Sequence, residues 1–120
     1  MPARPFRESF RFAWAGLTWA WRTQGNLRRH TVAALIVLVF THLLALPRTE
    51  RAIIVLTIAL VITAELVNTV VEVVVDLSTT EYHPLAKQAK DVAAAFVLTA
   101  ALAAVIVGLY LLGPPLLQLA

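Results

Sequence analysis

Three features of the sequence predict an all-α membrane protein, with an N-terminal amphipathic surface helix followed by three transmembrane helices. The first is composition. Of 120 residues, 60% are hydrophobic and 14% charged, with a mean hydropathy of +0.81, whereas soluble domains carry roughly 25% charged residues. A chain of this size forms one domain at most, residues 1–120, and has too much surface to hide so many apolar side chains. Lipid or partner subunits must cover the remainder. The second feature is the gathering of apolar residues into long runs with short polar breaks. The third is the placement of positive charge, since Arg4, Arg7, Arg11, Arg22, Arg28 and Arg29 all precede the first long run. That clustering is expected of a cytoplasmic flank held against anionic lipid headgroups. It argues against a nucleic-acid partner in spite of the net charge of +3. A cleavable signal peptide fits poorly, because the first apolar run starts only near Thr31 and no small-residue cleavage site precedes a soluble domain. The absence of cysteine removes disulfide frameworks, thiolate metal sites and cysteine nucleophiles.

Taken in order, residues 4–22 read as the amphipathic helix. Phe6, Phe10, Trp14 and Leu17 recur at helical spacing, Phe12, Trp19 and Trp21 widen the apolar face, and the arginines supply the polar one. Residues 31–46 form the first span, slightly short of the roughly 20 residues that cross a 30 Å hydrocarbon core. Residues 52–77 and 92–112 form the second and third, and Gly113, Pro114 and Pro115 are expected to stop the last helix. Residues 46–51 predict a tight hairpin. Residues 78–91 predict a longer polar loop, with Lys90 and Asp91 opening the third span. With the N-terminus inside, the inner side gathers the six arginines plus Lys87 and Lys90, against Arg48 and Arg51 outside.

The second span carries residues that a lipid-facing helix should not. Glu65, Asn68, Glu72 and Asp76 fall within an arc of about 80° and rise about 16 Å along the axis. Each buried carboxylate costs several kcal/mol unless paired, protonated or neutralised by a cation, so three of them mark an ion, proton or metal site. Three spans enclose such a stripe poorly, and partner subunits should complete it. The alanine-rich third span, with Ala93, Ala94, Ala95, Ala100, Ala101, Ala103, Ala104 and Gly108, suits close helix packing. Lys87, Lys90 and the arginines are the available countercharges, all at the cytoplasmic rim. The stretch from Glu81 through Tyr82, His83, Lys87 and Lys90 to Asp91 sets donors, acceptors and an aromatic at the mouth of the stripe, which suits a polyanion accompanied by a divalent cation. His42 reads as a hydrogen-bonded packing residue deep in the first span, and His30 as a group at the cytoplasmic entrance. With four glycines in the chain, no Gly-rich phosphate loop can be built.

Residues 64–76 (AELVNTVVEVVVD) and 81–91 (EYHPLAKQAKD) resemble the signature of the small bacterial membrane-integral diacylglycerol kinases and undecaprenol kinases, approximately E-x-x-N-[ST]-x-x-E-x-x-x-D followed by E-Y-H-x-x-[AS]-[KG]-x-A-K-D. The amphipathic start and three spans extend the likeness over nearly the whole chain. The resemblance implies a homotrimer in the bacterial inner membrane that transfers the ATP γ-phosphoryl group to the hydroxyl of a membrane lipid alcohol, with Mg²⁺ and with sites shared between subunits at the cytoplasmic face. By the same resemblance Glu65 is the general base, Glu72 a metal ligand, Asn68 and Asp76 supporting polar groups, and Glu81, Tyr82, His83, Lys90 and Asp91 nucleotide contacts. Such chemistry asks for positioning and charge neutralisation more than for covalent catalysis, and a glutamate withdrawn from water holds a proton more tightly, which suits a base. The diacylglycerol-kinase branch is expected to carry a second metal-binding glutamate and a tyrosine where this chain has His30 and Phe12. Gln24 to His30 instead resembles the Q-x-N-x-x-x-H stretch of the undecaprenol-kinase-like branch, which tilts the expected substrate toward a polyprenol. A small oligomeric proton or cation conduit lined by Glu65 and Glu72 also accounts for the stripe, but gives no role to Glu81, Tyr82, His83, Lys90 and Asp91.

Overall fold

A computed structural model describes residues 2–120. They form four α-helices: α1 (Phe6–Thr23), α2 (Gly25–Leu43), α3 (Arg48–Ser78) and α4 (Pro84–Leu117). At 1.5 Å per residue α3 and α4 are about 46 and 51 Å long, well beyond a hydrocarbon core of about 30 Å. Both are long and apolar enough to cross a membrane. The surplus leaves their facing ends, with Asp76 and Lys90, room to stand outside the hydrocarbon. α2 is 19 residues long, and its polar first turn, with Arg28 and Arg29, keeps it out of that class.

α3 and α4 make the most extensive helix pair, α2 lies against α3, and α1 touches α2. The centre is small. Val61, Ala64 and Ala100 pack together with Val97 and Ala104 beside them, and Ala64 is fully buried. Small side chains there let two helix backbones come close, which is how apolar helices associate when burial alone offers no drive. Ala93 and Ala100 are thus occupied within the protomer, whereas Ala94 and Ala95 face outward. The remaining faces of the long helices expose large apolar residues such as Leu56, Val70 and Leu98, a surface suited to lipid or to other subunits rather than water.

Helix boundaries depart from expectation at three places. The hairpin between α2 and α3 lies at residues 44–47 rather than 46–51, because Pro47 sets the N-cap position and Arg48 already belongs to α3. Ala45 turns the chain with a left-handed φ of 51°, and the Arg51 Nε–H donates to the Leu46 carbonyl at 2.7 Å. The connection between α3 and α4 is only residues 79–83. His83 caps α4 by accepting the Leu85 N–H on Nδ1 at 3.1 Å, and Pro84 occupies the first turn, where its missing N–H costs nothing. Lys90 and Asp91 therefore lie in the second turn of α4 and do not open it. Finally, α4 continues through Pro114 and Pro115. Gly113, without a Cβ, relieves the crowding that a proline imposes on its predecessor, and the turn is closed beyond the prolines by Gln118 N–H to the Pro114 carbonyl at 3.2 Å.

α1 begins at Phe6 and keeps its aromatic face open, with Phe6, Phe10 and Trp14 exposed. The bend into α2 is fastened by Arg28, whose Nη1–H groups reach the Trp21 and Arg22 carbonyls at 2.7 and 3.1 Å. Those carbonyls end a helix and would otherwise lack partners. His42 stands exposed in the last turn of α2 and, among the described residues, makes no side-chain hydrogen bond, contrary to a packing role. The early start of the hairpin moves it to the helix end.

Candidate functional site

The predicted stripe occupies one face of α3 and divides into a deep part and a rim. Glu65 is buried, with 3% of its surface exposed. Its Oε1 lies 3.0 Å from Nε2 of His30 on α2, although the contact is not aligned as a hydrogen bond. One turn onward, Asn68 Nδ2–H donates to Glu72 Oε1 at 3.3 Å, while Asn68 Oδ1 is buried and unpartnered. Two buried acceptors with unmet demand on one helix face are rare in a finished core, and such atoms cost free energy until a donor or cation reaches them.

At the rim Asp76 Oδ1 accepts from Lys90 Nζ at 2.7 Å, tying the end of α3 to the second turn of α4. That hydrogen bond, reinforced by the negative charges of Asp76 and Glu72, holds the Lys90 ammonium above the ordinary lysine value of 10.5. Lys87 pairs with Asp91 one turn away along α4 at 2.5 Å. Asp76, Glu81, Tyr82, His83, Lys90 and Asp91 line one cleft of about 360 Å³, and Tyr82 is 80% exposed at its edge. The Thr79 hydroxyl shapes the loop by accepting the Glu81 N–H at 3.1 Å. His83 spends Nδ1 on the helix cap, so only Nε2 remains for another partner.

The nine residues singled out in the sequence fall into two neighbouring groups, one on a face of α3 and one around the cleft at its end. Glu65, Asn68 and Glu72 form the first, and the other six gather at the cleft. The residue that sequence reasoning placed without a partner is His30. Its link to Glu65 does carry a signal, because α2 and α3 run antiparallel from the 44–47 turn and the two residues are equidistant from that turn to within about one helical turn. His30 faces Glu65 rather than Glu72.

Among the described residues no three His, Asp or Glu side chains come together to hold a metal ion unaided. Mg²⁺ does not ask for that, since it commonly takes one or two carboxylates and completes its shell with phosphate oxygens and water. Glu72, whose Oε1 is engaged only by an amide, and the orphaned Asn68 Oδ1 beside it supply that kind of partial oxygen set.

Residues 11–112 match the family model for prokaryotic diacylglycerol kinase. The chain is 53% identical over 112 residues to a diacylglycerol kinase of Synechocystis, covering 92% of this chain but 64% of that protein's length. It is 41% identical over 111 residues to an undecaprenol kinase of Bacillus subtilis, covering 92% of this chain and 90% of the relative. A diacylglycerol kinase of Escherichia coli K12 is 36% identical over 95 residues, covering 79% and 78% respectively.

Proposed function

The chain belongs to the prokaryotic diacylglycerol kinase family, and from that premise we propose that it is an ATP- and Mg²⁺-dependent lipid kinase acting on the hydroxyl of a membrane lipid alcohol, undecaprenol or diacylglycerol. The observation that carries the reading is the polar face of α3 that runs from the buried Glu65 toward the charged cleft at the end of α3 and α4. A reaction between a lipid in the bilayer and a nucleotide in the cytoplasm needs such a face, and Glu72 stands roughly 10 Å nearer the cleft than Glu65 along the helix.

In this mechanism the nucleotide occupies the cleft, with Lys90 and His83 Nε2 presented to phosphate and Tyr82 to the base or ribose. Glu72 and Asn68 Oδ1 would hold Mg²⁺, which supplies neutralisation of the charge on the transferring phosphate. The lipid hydroxyl approaches from the bilayer side. Its oxygen bonds to the γ-phosphorus as the bond from that phosphorus to the ADP oxygen breaks, and Glu65 takes the hydroxyl proton. ADP and a phosphorylated lipid are the products. Asp76 supports the arrangement by holding Lys90 across the gap between helices.

The excess of Arg and Lys on the cleft side supports a cytoplasmic cleft in this reading, with the protein in the bacterial inner membrane. α2, about 28 Å long, makes the third crossing if Arg28 and Arg29 snorkel to the headgroups. A homotrimer would cover the apolar faces of α3 and α4 and close the site from a neighbouring subunit. Labelled ATP given to the purified protein with Mg²⁺ and each lipid alcohol tests the reading. A labelled lipid product with at least one alcohol is expected, and its absence with both would refute it.

A further inference from the structure

We propose that His30 is a positioning residue that holds the Glu65 carboxylate for proton transfer, an inference that rests on the kinase reading above. Glu65 reaches deep into the bundle with its side chain 4% exposed, and His30 Nε2 at 3.0 Å is the ionisable group that meets it. The two atoms are close but off-line for a hydrogen bond, and a small turn of the imidazole would bring an Nε2–H donor onto the unpartnered Oε1. A base must also present a lone pair within about 2.6–3.2 Å of the proton it removes. That donor on Oε1 would fix the rotation of the carboxylate and leave Oε2 for the hydroxyl.

The surroundings of His30 fit this role better than that of a simple anchor between helices. α2 already packs on its neighbours through buried Leu27, and the Thr31 and Thr41 hydroxyls are satisfied by their own helix carbonyls. The imidazole, 31% exposed, borders an apolar groove of about 330 Å³ whose walls include Ala33, Ala34, Ala101, Ala104 and Gly108. These side chains are small and leave space beside the ring. A lipid alcohol with its first methylenes in that groove would bring its hydroxyl to the edge where His30 meets Glu65. His30 thus stands between the apolar approach and the base.

The test uses the full chain in detergent or bilayer. His30→Leu keeps the bulk but removes the donor, and His30→Gln returns an N–H at nearly the reach of Nε2. Misplacing a reacting group typically costs about 10- to 100-fold. His30→Leu should therefore lower kcat by about that factor with the KM values for MgATP and lipid little changed, and His30→Gln should recover most of the loss. Independently of turnover, the ¹⁵N resonance of His30 Nε2 should move in Glu65→Gln. Undiminished kcat in His30→Leu, or a loss that His30→Gln does not recover, would overturn the positioning role, and an unmoved resonance would overturn the contact. If His30→Leu fails to fold, His30→Gln and the resonance still decide the matter. A wild-type protein that phosphorylates neither alcohol refutes the kinase reading and this role with it, whereas an active wild type with unaffected His30 variants refutes this role alone.

Discussion

Replacing Glu65 with glutamine separates base chemistry from nucleotide binding more cleanly than any other single change. The substitution preserves volume at a site 3% exposed, and the new amide oxygen can still face His30 Nε2, so packing between α2 and α3 should persist. What is lost is a group able to take a proton. A missing general base costs at least about 10²-fold in kcat, roughly 2.7 kcal/mol of barrier at 1.36 kcal/mol per decade. The nucleotide end should not notice, because Glu72 and Asp76 lie roughly 10 and 16 Å farther along the helix. Steady-state transfer of labelled phosphate to lipid, with MgATP and lipid varied in turn, should show a collapsed kcat beside an unchanged KM for MgATP. The unfolding midpoint should stay near that of the wild type. A fall below about threefold would refute the assignment of Glu65 as base. Restoration of Glu65→Gln by raised Mg²⁺ would instead make it the metal ligand and reverse its role with that of Glu72.

Glu72→Gln should weaken productive MgATP binding, so its activity, unlike that of Glu65→Gln, should climb with Mg²⁺ concentration in the same assay. Lys90→Ala should raise the KM for ATP by removing a phosphate contact and freeing Asp76. Because Asp76 raises the Lys90 pKa above 10.5, the pair is intact below that ordinary value and is lost only as the pH rises through the higher one. The wild-type KM for ATP should consequently show no Lys90 titration between roughly pH 7 and 9. Ala64→Leu forces extra methylenes into the fully buried contact between α3 and α4 and should destabilise by about 1–3 kcal/mol, measured as a lower unfolding midpoint in detergent. Gly16→Ala meets no atom within 4 Å of the added Cβ. It should therefore stabilise α1 by about 0.5–1 kcal/mol, read as increased helicity or a higher midpoint.

Period and charge made the helical course and the stripe legible in advance. Glu65, Asn68, Glu72 and Asp76 share a face simply because 3.6 residues make a turn, and tertiary context had little to change. The ends of helices were less legible because they depend on caps and single clashes. His83 and Pro84 start α4 within a stretch rich in charge, so residues 78–91 look like a loop by composition although most of them are helical. Pro114 and Pro115 look like a stop, yet the backbone needs only to forgo bonds near a helix end that is already losing partners. The roles of His30 and Arg28 were only faintly legible, for another reason. Their partners, the Glu65 carboxylate and the Trp21 and Arg22 carbonyls, depend on the angles between α1, α2 and α3, which no single helix's pattern records.

Lipid phosphorylation and ion flux measured in the same proteoliposomes test the central claim most directly, with wild type and Glu65→Gln side by side, labelled ATP outside cytoplasm-facing-out protein, Mg²⁺ present and either lipid alcohol in the bilayer. The account predicts label in the lipid fraction for wild type, at least about 10²-fold less for Glu65→Gln, and ion permeability equal for both. Unlabelled lipid with either alcohol, together with a proton or cation leak that disappears in Glu65→Gln, would contradict it and assign the stripe to conduction.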